Sequence, residues 1–203
     1  QKKKNTAIGT STLASNNTAD NNTAVGYAAL NANTTGYDCV AVGRNSLDAN
    51  TTGHSNTAIG ESSLTSNTTA NGNTAVGQNA LAINTTGASN VAVGRNALDA
   101  NTTANSNVAV GESCMGANTT GARNTAAGSE SLQSNTTGDF NVSIGFQALK
   151  NSNQDANVAV GYEAMELSTG ADSCVAVGTE SLKNATGDDN TAVGRYSLNT
   201  LTS

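Results

Sequence analysis

The stretch Asn22 to Gly36 reads NTAVGYAALNANTTG, and from Val40 to Gly53 the chain writes VAVGRNSLDANTTG, with Cys39 where the first line has Asn22. Aligned on the glycine after the apolar triplet, the line recurs at Gly9, Gly26, Gly43, Gly60, Gly77, Gly94, Gly111, Gly128, Gly145, Gly161, Gly178 and Gly194. Eight successive spacings are 17 residues, followed by 16, 17 and 16. A fixed period of this size marks a solenoid, in which each repeat is one coil that cannot bury its apolar side alone.

Four residues after each glycine stands an apolar column that runs from Leu13 to Leu198 and admits only Leu and Met. One residue before the glycine lies a second column, almost entirely Val and Ile, and before that a column of Ala broken only by Ser143. β-Branched residues favour strand over helix, the unit carries no 3.6-residue apolar stripe, and NTTG is a turn signature. The expected coil is a short strand at T-A-V, a bend at glycine (Gly26, Gly43, Gly60, Gly77, Gly94, Gly111), a second short strand around A/S-L, and a return through NTTG. The expected fold is therefore all-β: a parallel β-solenoid, or β-roll, of about twelve coils, a rod roughly 50 to 55 Å long at about 4.8 Å per coil.

Alternation puts Val and Ala on opposite sides of the strand. With Val placed inside beside Leu, the expected core is Val25, Leu30, Val42, Leu47, Ile59, Leu64, Val76, Leu81, Val93, Leu98, Val110 and Met115, and Ala is left for close contact with a neighbour. Residues 1–4, with Lys2, Lys3 and Lys4, form a basic tail; 5–140 hold eight regular coils; 141–203 hold four less regular coils of the same solenoid. In those last coils Phe146 and Tyr162 are candidate surface-contact residues.

Leu, Ile, Val and Phe make up about 16 % of the 203 residues, under the roughly 20 % at which disorder is suspected. The net charge of −6 lacks the high-charge half of that signature. An acidic chain with two Phe and no Trp does not suit nucleic acid, which calls for a basic face and stacking aromatics. No apolar run reaches the roughly 18 residues of a spanning helix, so no membrane insertion is expected in this segment.

Charges alternate between neighbouring coils: Arg44 precedes Glu61 and Arg95 precedes Glu112 in one column, and Glu166 lies between Lys150 and Lys183 in another. Such pairs report in-register stacking. Asn columns at the strand entry and at the start of NTT are expected to hydrogen-bond along the stack. Cys39, Cys114 and Cys174 are whole coils apart, beyond disulfide reach, so they are expected to be free thiols. Free thiols, together with NTT turns that would be glycosylation acceptors in a eukaryotic secretory pathway, suit folding in a reducing cytoplasm.

The recurrent NTAVG, NVAVG and NTAIG, with a small residue and Leu downstream, resemble the YadA-like head repeat of trimeric autotransporter adhesins and related phage and viral fibre proteins. The resemblance spans residues 5 to 199 and implies a left-handed parallel β-roll assembled as a parallel homotrimer. It also implies an adhesive or structural fibre segment, exposed on a virion, phage fibre or cell surface, with a host receptor or glycan as partner. Two alternatives stand beside it. One is an ice-binding solenoid using the Thr columns of the NTT turns, Thr18 to Thr137 and Thr34 to Thr136; the other is a passive spacer with no ligand. An enzyme is not expected: His54 is the single histidine, the glycines form no phosphate loop, and no catalytic, metal or cofactor site is read from the residues.

Overall fold

The computed structural model describes residues 4–200; Lys2 and Lys3 of the expected basic tail lie outside them. Twelve strands of three residues each, from β1 (Thr6–Ile8) and β2 (Thr23–Val25) to β12 (Thr191–Val193), pair in parallel and in consecutive order to make one sheet. The described residues wind through about eleven turns of a β-solenoid and include no helix. Register follows the repeat, with Thr23 opposite Val40, Ala24 opposite Ala41 and Val25 opposite Val42.

Where the period drops to 16, Val142 still faces Val158. The missing residue comes out of the return turn. Asn124 Nδ2 donates to the Gly138 carbonyl fourteen residues on, whereas Asn141 Nδ2 reaches the Gln154 carbonyl thirteen residues on, at 2.8 Å. A turn absorbs the deletion because slipping a strand by one residue would turn every side chain to the opposite face.

The strands are oriented the other way round from the expected arrangement. Ala24, Ala41, Ala58 and Ala75 are fully buried, while Val25, Val42, Val76 and Val93 are half-buried on the outer face. Ile59 and Val110 are 40 % and 41 % exposed. These six Val and Ile positions are therefore not interior. The space inside the coils is already occupied by a buried Leu or Met and, in six of them, by two buried Asn side chains, so only a methyl fits opposite them. Ser143, the one departure from Ala, is also buried; its Oγ lies 2.7 Å from Ser131 Oγ and donates to the Ala148 carbonyl at 2.8 Å.

Leu30, Leu47, Leu64, Leu81, Leu98 and Met115 are 0 % exposed. No second strand forms around them. That segment is a run of turns in which Ala28 and Leu30 take φ of 55° and 50°. Coil-to-coil hydrogen bonding continues without extended backbone, as Leu30 N donates to the Ser46 carbonyl at 3.0 Å and Ala32 N to the Asp48 carbonyl at 3.0 Å. The bend glycines from Gly26 to Gly111 have φ between 131° and 138°, and a Cβ on Gly26 would lie 2.6 Å from the Gly43 carbonyl oxygen. Only glycine supplies both that backbone and that approach.

Two internal Asn ladders satisfy the backbone that the turns leave over. In the first, Asn73 Nδ2 donates to the Gly87 carbonyl at 2.8 Å and its Oδ1 accepts from Asn90 N at 2.9 Å. In the second, Asn84 Nδ2 donates to Asn67 Oδ1 at 3.1 Å and to the Gly87 carbonyl at 2.9 Å, and its Oδ1 accepts from Asn101 Nδ2 at 2.8 Å. Cys39 and Cys174 occupy the first ladder and use sulfur in the same way: Cys39 Sγ donates to the Gly53 carbonyl at 3.5 Å and Cys174 Sγ to the Gly187 carbonyl at 3.4 Å.

Candidate interaction surface

Because Ala turns inward, the outer face of the sheet carries two continuous columns. One runs from Ile8 to Val193 and is Val or Ile at every rung except Ala127; the other runs from Thr6 to Thr191 and is Thr or Val throughout. At about 4.8 Å per rung the stripe is roughly 53 Å long. Ile8, Ile144 and Val177 are among its exposed members. Soluble monomers rarely leave so long a contiguous apolar strip open to water.

Phe146 and Tyr162 each follow a bend glycine, on neighbouring coils at the edge of this face. The fold brings them together, with ring centroids 5.6 Å apart and planes inclined by 17°. The Tyr162 hydroxyl hydrogen-bonds the Glu163 carboxylate, which holds the phenol proton above its usual range. Beside them Lys183 Nζ sits 2.5 Å from Glu163, 3.1 Å from Glu166 and 3.4 Å from Glu180. The Lys183 hydrogen bond pulls the Glu163 carboxyl below its ordinary range, and Glu163 in turn raises Lys183. Lys150 pairs with Glu130 at 2.7 Å, so Glu166 is shared with one of its two column neighbours only. Arg44 pairs with Glu61 and Arg95 with Glu112 between adjacent coils.

Column reading finds the Phe146–Tyr162 pair and would also have found Tyr37 over His54, stacked at 4.6 Å, since both pairs are one repeat apart. Of the Lys183 cluster, column reading finds Glu166 but misses Glu163, because Glu163 and Lys183 lie 20 residues apart, one coil plus a side step between columns.

The Thr columns differ in chemistry. Thr34, Thr51 and Thr68 are half-buried, and Thr34 Oγ1 donates to the Thr51 carbonyl at 2.9 Å and Thr51 Oγ1 to the Thr68 carbonyl at 3.0 Å. The outer column, Thr18 to Thr137, is exposed at all eight rungs. The inner hydroxyls are thus engaged by the stack and one row faces water.

The three thiols are free and buried. Burial pushes the Cys114 thiol up to about 12 and raises Cys39 and Cys174 as well, so all three stay protonated at neutral pH and poorly nucleophilic. Among the described residues no group of three or more His, Cys, Asp or Glu is placed to hold a metal ion, and no helix is long and apolar enough to cross a membrane. Compared with family models, with curated proteins and with solved structures, the chain matches none of them.

Proposed function

We propose that the chain is a non-enzymatic structural segment of a fibre, in which three copies pack in parallel along their strand faces and the remaining faces space or present attachment surfaces. The observation that carries this reading is the outward Val/Ile column. A parallel trimer would bury it along the rod axis and leave the charged bend column and the NTT turns facing out. The resemblance of the repeat to adhesin heads and viral fibres supports the same assembly and a location on the surface of a particle or cell.

Packing of this kind also answers a thermodynamic need. Each coil encloses one Leu or Met and a few methyls, worth on the order of 1.5–3 kcal/mol for the large side chain, while ordering seventeen residues opposes folding by far more. Burying the outer Val or Ile and its Thr or Val neighbour in each coil narrows that gap.

Sedimentation equilibrium tests the reading. The expected species is a trimer, and Val76→Asp with Val93→Asp should shift it to monomer by placing two unpaired charges in the interface. A wild-type chain that sediments as a monomer at micromolar concentration would exclude the assembly.

One observation favours a second reading, ice binding: the outer Thr column presents eight hydroxyls in register. It is the poorer fit, because the inner Thr row donates to backbone. Thermal hysteresis at millimolar protein is its test.

A further inference from the structure

The column five residues after the bend glycine faces out on the side of the coil away from the strands, and it carries a side chain at every rung but one. It reads Ala14, Asn31, Asp48, Thr65, Ala82, Asp99 and then Gly116, before resuming with Gln133, Lys150, Glu166 and Lys183. Nothing in the backbone requires glycine there. Gly116 is not among the positive-φ glycines, and the nearest atoms to a Cβ on it would be Asp99 Oδ1 and the Ser113 carbonyl oxygen, both at 3.4 Å, and the Asn96 carbonyl oxygen at 3.8 Å. These are ordinary contacts, unlike the backbone collision at Gly26.

The missing side chain opens a notch of about 360 Å³, walled by Asn96, Asp99, Ser113, Gln133 and Ser134. That volume is at the lower end of the roughly 300–1,000 Å³ of small-molecule sites. Asp48, three coils back, shows what the filled column does: under Thr65 its Oδ1 is buried with no partner. At Asp99 the column neighbour is Gly116, so Asp99 Oδ1 lies 3.4 Å from where a Cβ would stand and the carboxylate lines the notch; partial burial raises its pKa. Asn96 accepts from Asn79 Nδ2 at 3.2 Å, which orients its amide and leaves its own Nδ2 as a donor at the wall.

The chemistry of the walls selects a ligand class. No Lys or Arg lines the notch, so phosphate and carboxylate ligands find no counter-charge. A single carboxylate is too few ligands for a hard cation, which takes six or more oxygens. A carboxylate acceptor flanked by amides and hydroxyls matches vicinal hydroxyls, which both donate and accept. We propose that the Gly116 notch is a binding subsite for a neutral saccharide unit, with Asp99 accepting from a hydroxyl pair and Asn96 and Gln133 completing the set. The proposal deepens the attachment reading and rests on it for its purpose. Three copies in a fibre would present three notches, so weak individual binding would gain from avidity.

Saturation-transfer NMR and titration with glucose, galactose, mannose and N-acetylglucosamine, free and as disaccharides, test it on the wild-type chain, Gly116→Gln and Asp99→Asn. Gly116→Gln places in the column the residue the next coil already has, so circular dichroism and sedimentation should stay as in the wild type. The expected result is transfer to at least one of these sugars, weakened tenfold or more in both variants. No transfer to any of them, or transfer unchanged by Gly116→Gln, overturns the proposal. A trimer that binds none of the sugars sinks the notch and leaves the fibre standing, whereas a monomer that binds through it sinks the fibre and leaves the notch.

Discussion

Leu81 is fully buried at φ 52°, and that pairing explains why its column admits Leu and Met but never Val or Ile. A left-handed backbone brings Cβ close to the following carbonyl, at a cost of about 1–2 kcal/mol for an ordinary residue, and branching at Cβ makes the crowding worse. The strand column five residues earlier, Val76 in this coil, sits in extended backbone, where branching is favoured. Leu81→Met should therefore cost less than about 1.5 kcal/mol. Leu81→Ile, equal in carbon count, should cost about 1–3 kcal/mol more. Urea denaturation midpoints decide it: an isoleucine variant as stable as the methionine one would show that the left-handed turn does not select the side chain.

At the scale of the element, the unit of cohesion is the ladder. Removing one rung from an internal Asn ladder leaves buried donors and acceptors unmade on both neighbours. Cys39 and Ser168 keep a hydrogen-bonding group at their rungs, and Ser168 Oγ donates to the carbonyl of Ala185, the one rung of that ladder whose side chain is only a methyl, at 2.9 Å. An outer ladder uses the same geometry with charge. Asp155 Oδ1 accepts from Asp139 N at 2.7 Å, Asp172 Oδ1 from Asp155 N at 2.7 Å, and Asp188 Oδ1 from Asp172 N at 2.9 Å. Asn105 Oδ1 does the same for Ala88 N at 2.6 Å, so Asn reproduces the contact without stacking like charges about 4.8 Å apart. Asp155→Asn with Asp172→Asn should raise Tm by about 2–4 °C at low salt, and the gain should shrink at 1 M salt. A fall in Tm, or a gain indifferent to salt, would place the carboxylates in some other role.

For the whole molecule, stability is close to a sum of coils and the contacts between neighbouring coils. Every strand pairs only with its sequence neighbours, so the stack should tolerate loss of a full period. Deleting residues 74–90 joins Asn73 to Val91 in the register that Thr74 held, and the shortened chain should keep its circular dichroism spectrum and cooperative melting. Deleting nine residues, 74–82, throws the bend glycines and the Leu column out of line, and should abolish the folded signal. Equal behaviour of the two deletions would contradict a stack governed by register.

The repeat by itself determined the coil, the parallel in-register stack and the residues that share a column, because a 17-residue period with one turn signature leaves few other ways to line up like with like. It therefore also brought Phe146 beside Tyr162 and Arg44 beside Glu61. Only the tertiary structure decided which side of T-A-V is inside. Alternation sorts Val and Ala onto opposite faces without naming either, and the choice follows from the volume a closed coil has left once Leu and the Asn side chains have entered it. The same closure turns Ala28 and Leu30 left-handed where no local glycine announces it, and it makes the absence of a side chain at Gly116 a notch, since a gap in a column has depth only when the coils on either side stand next to it.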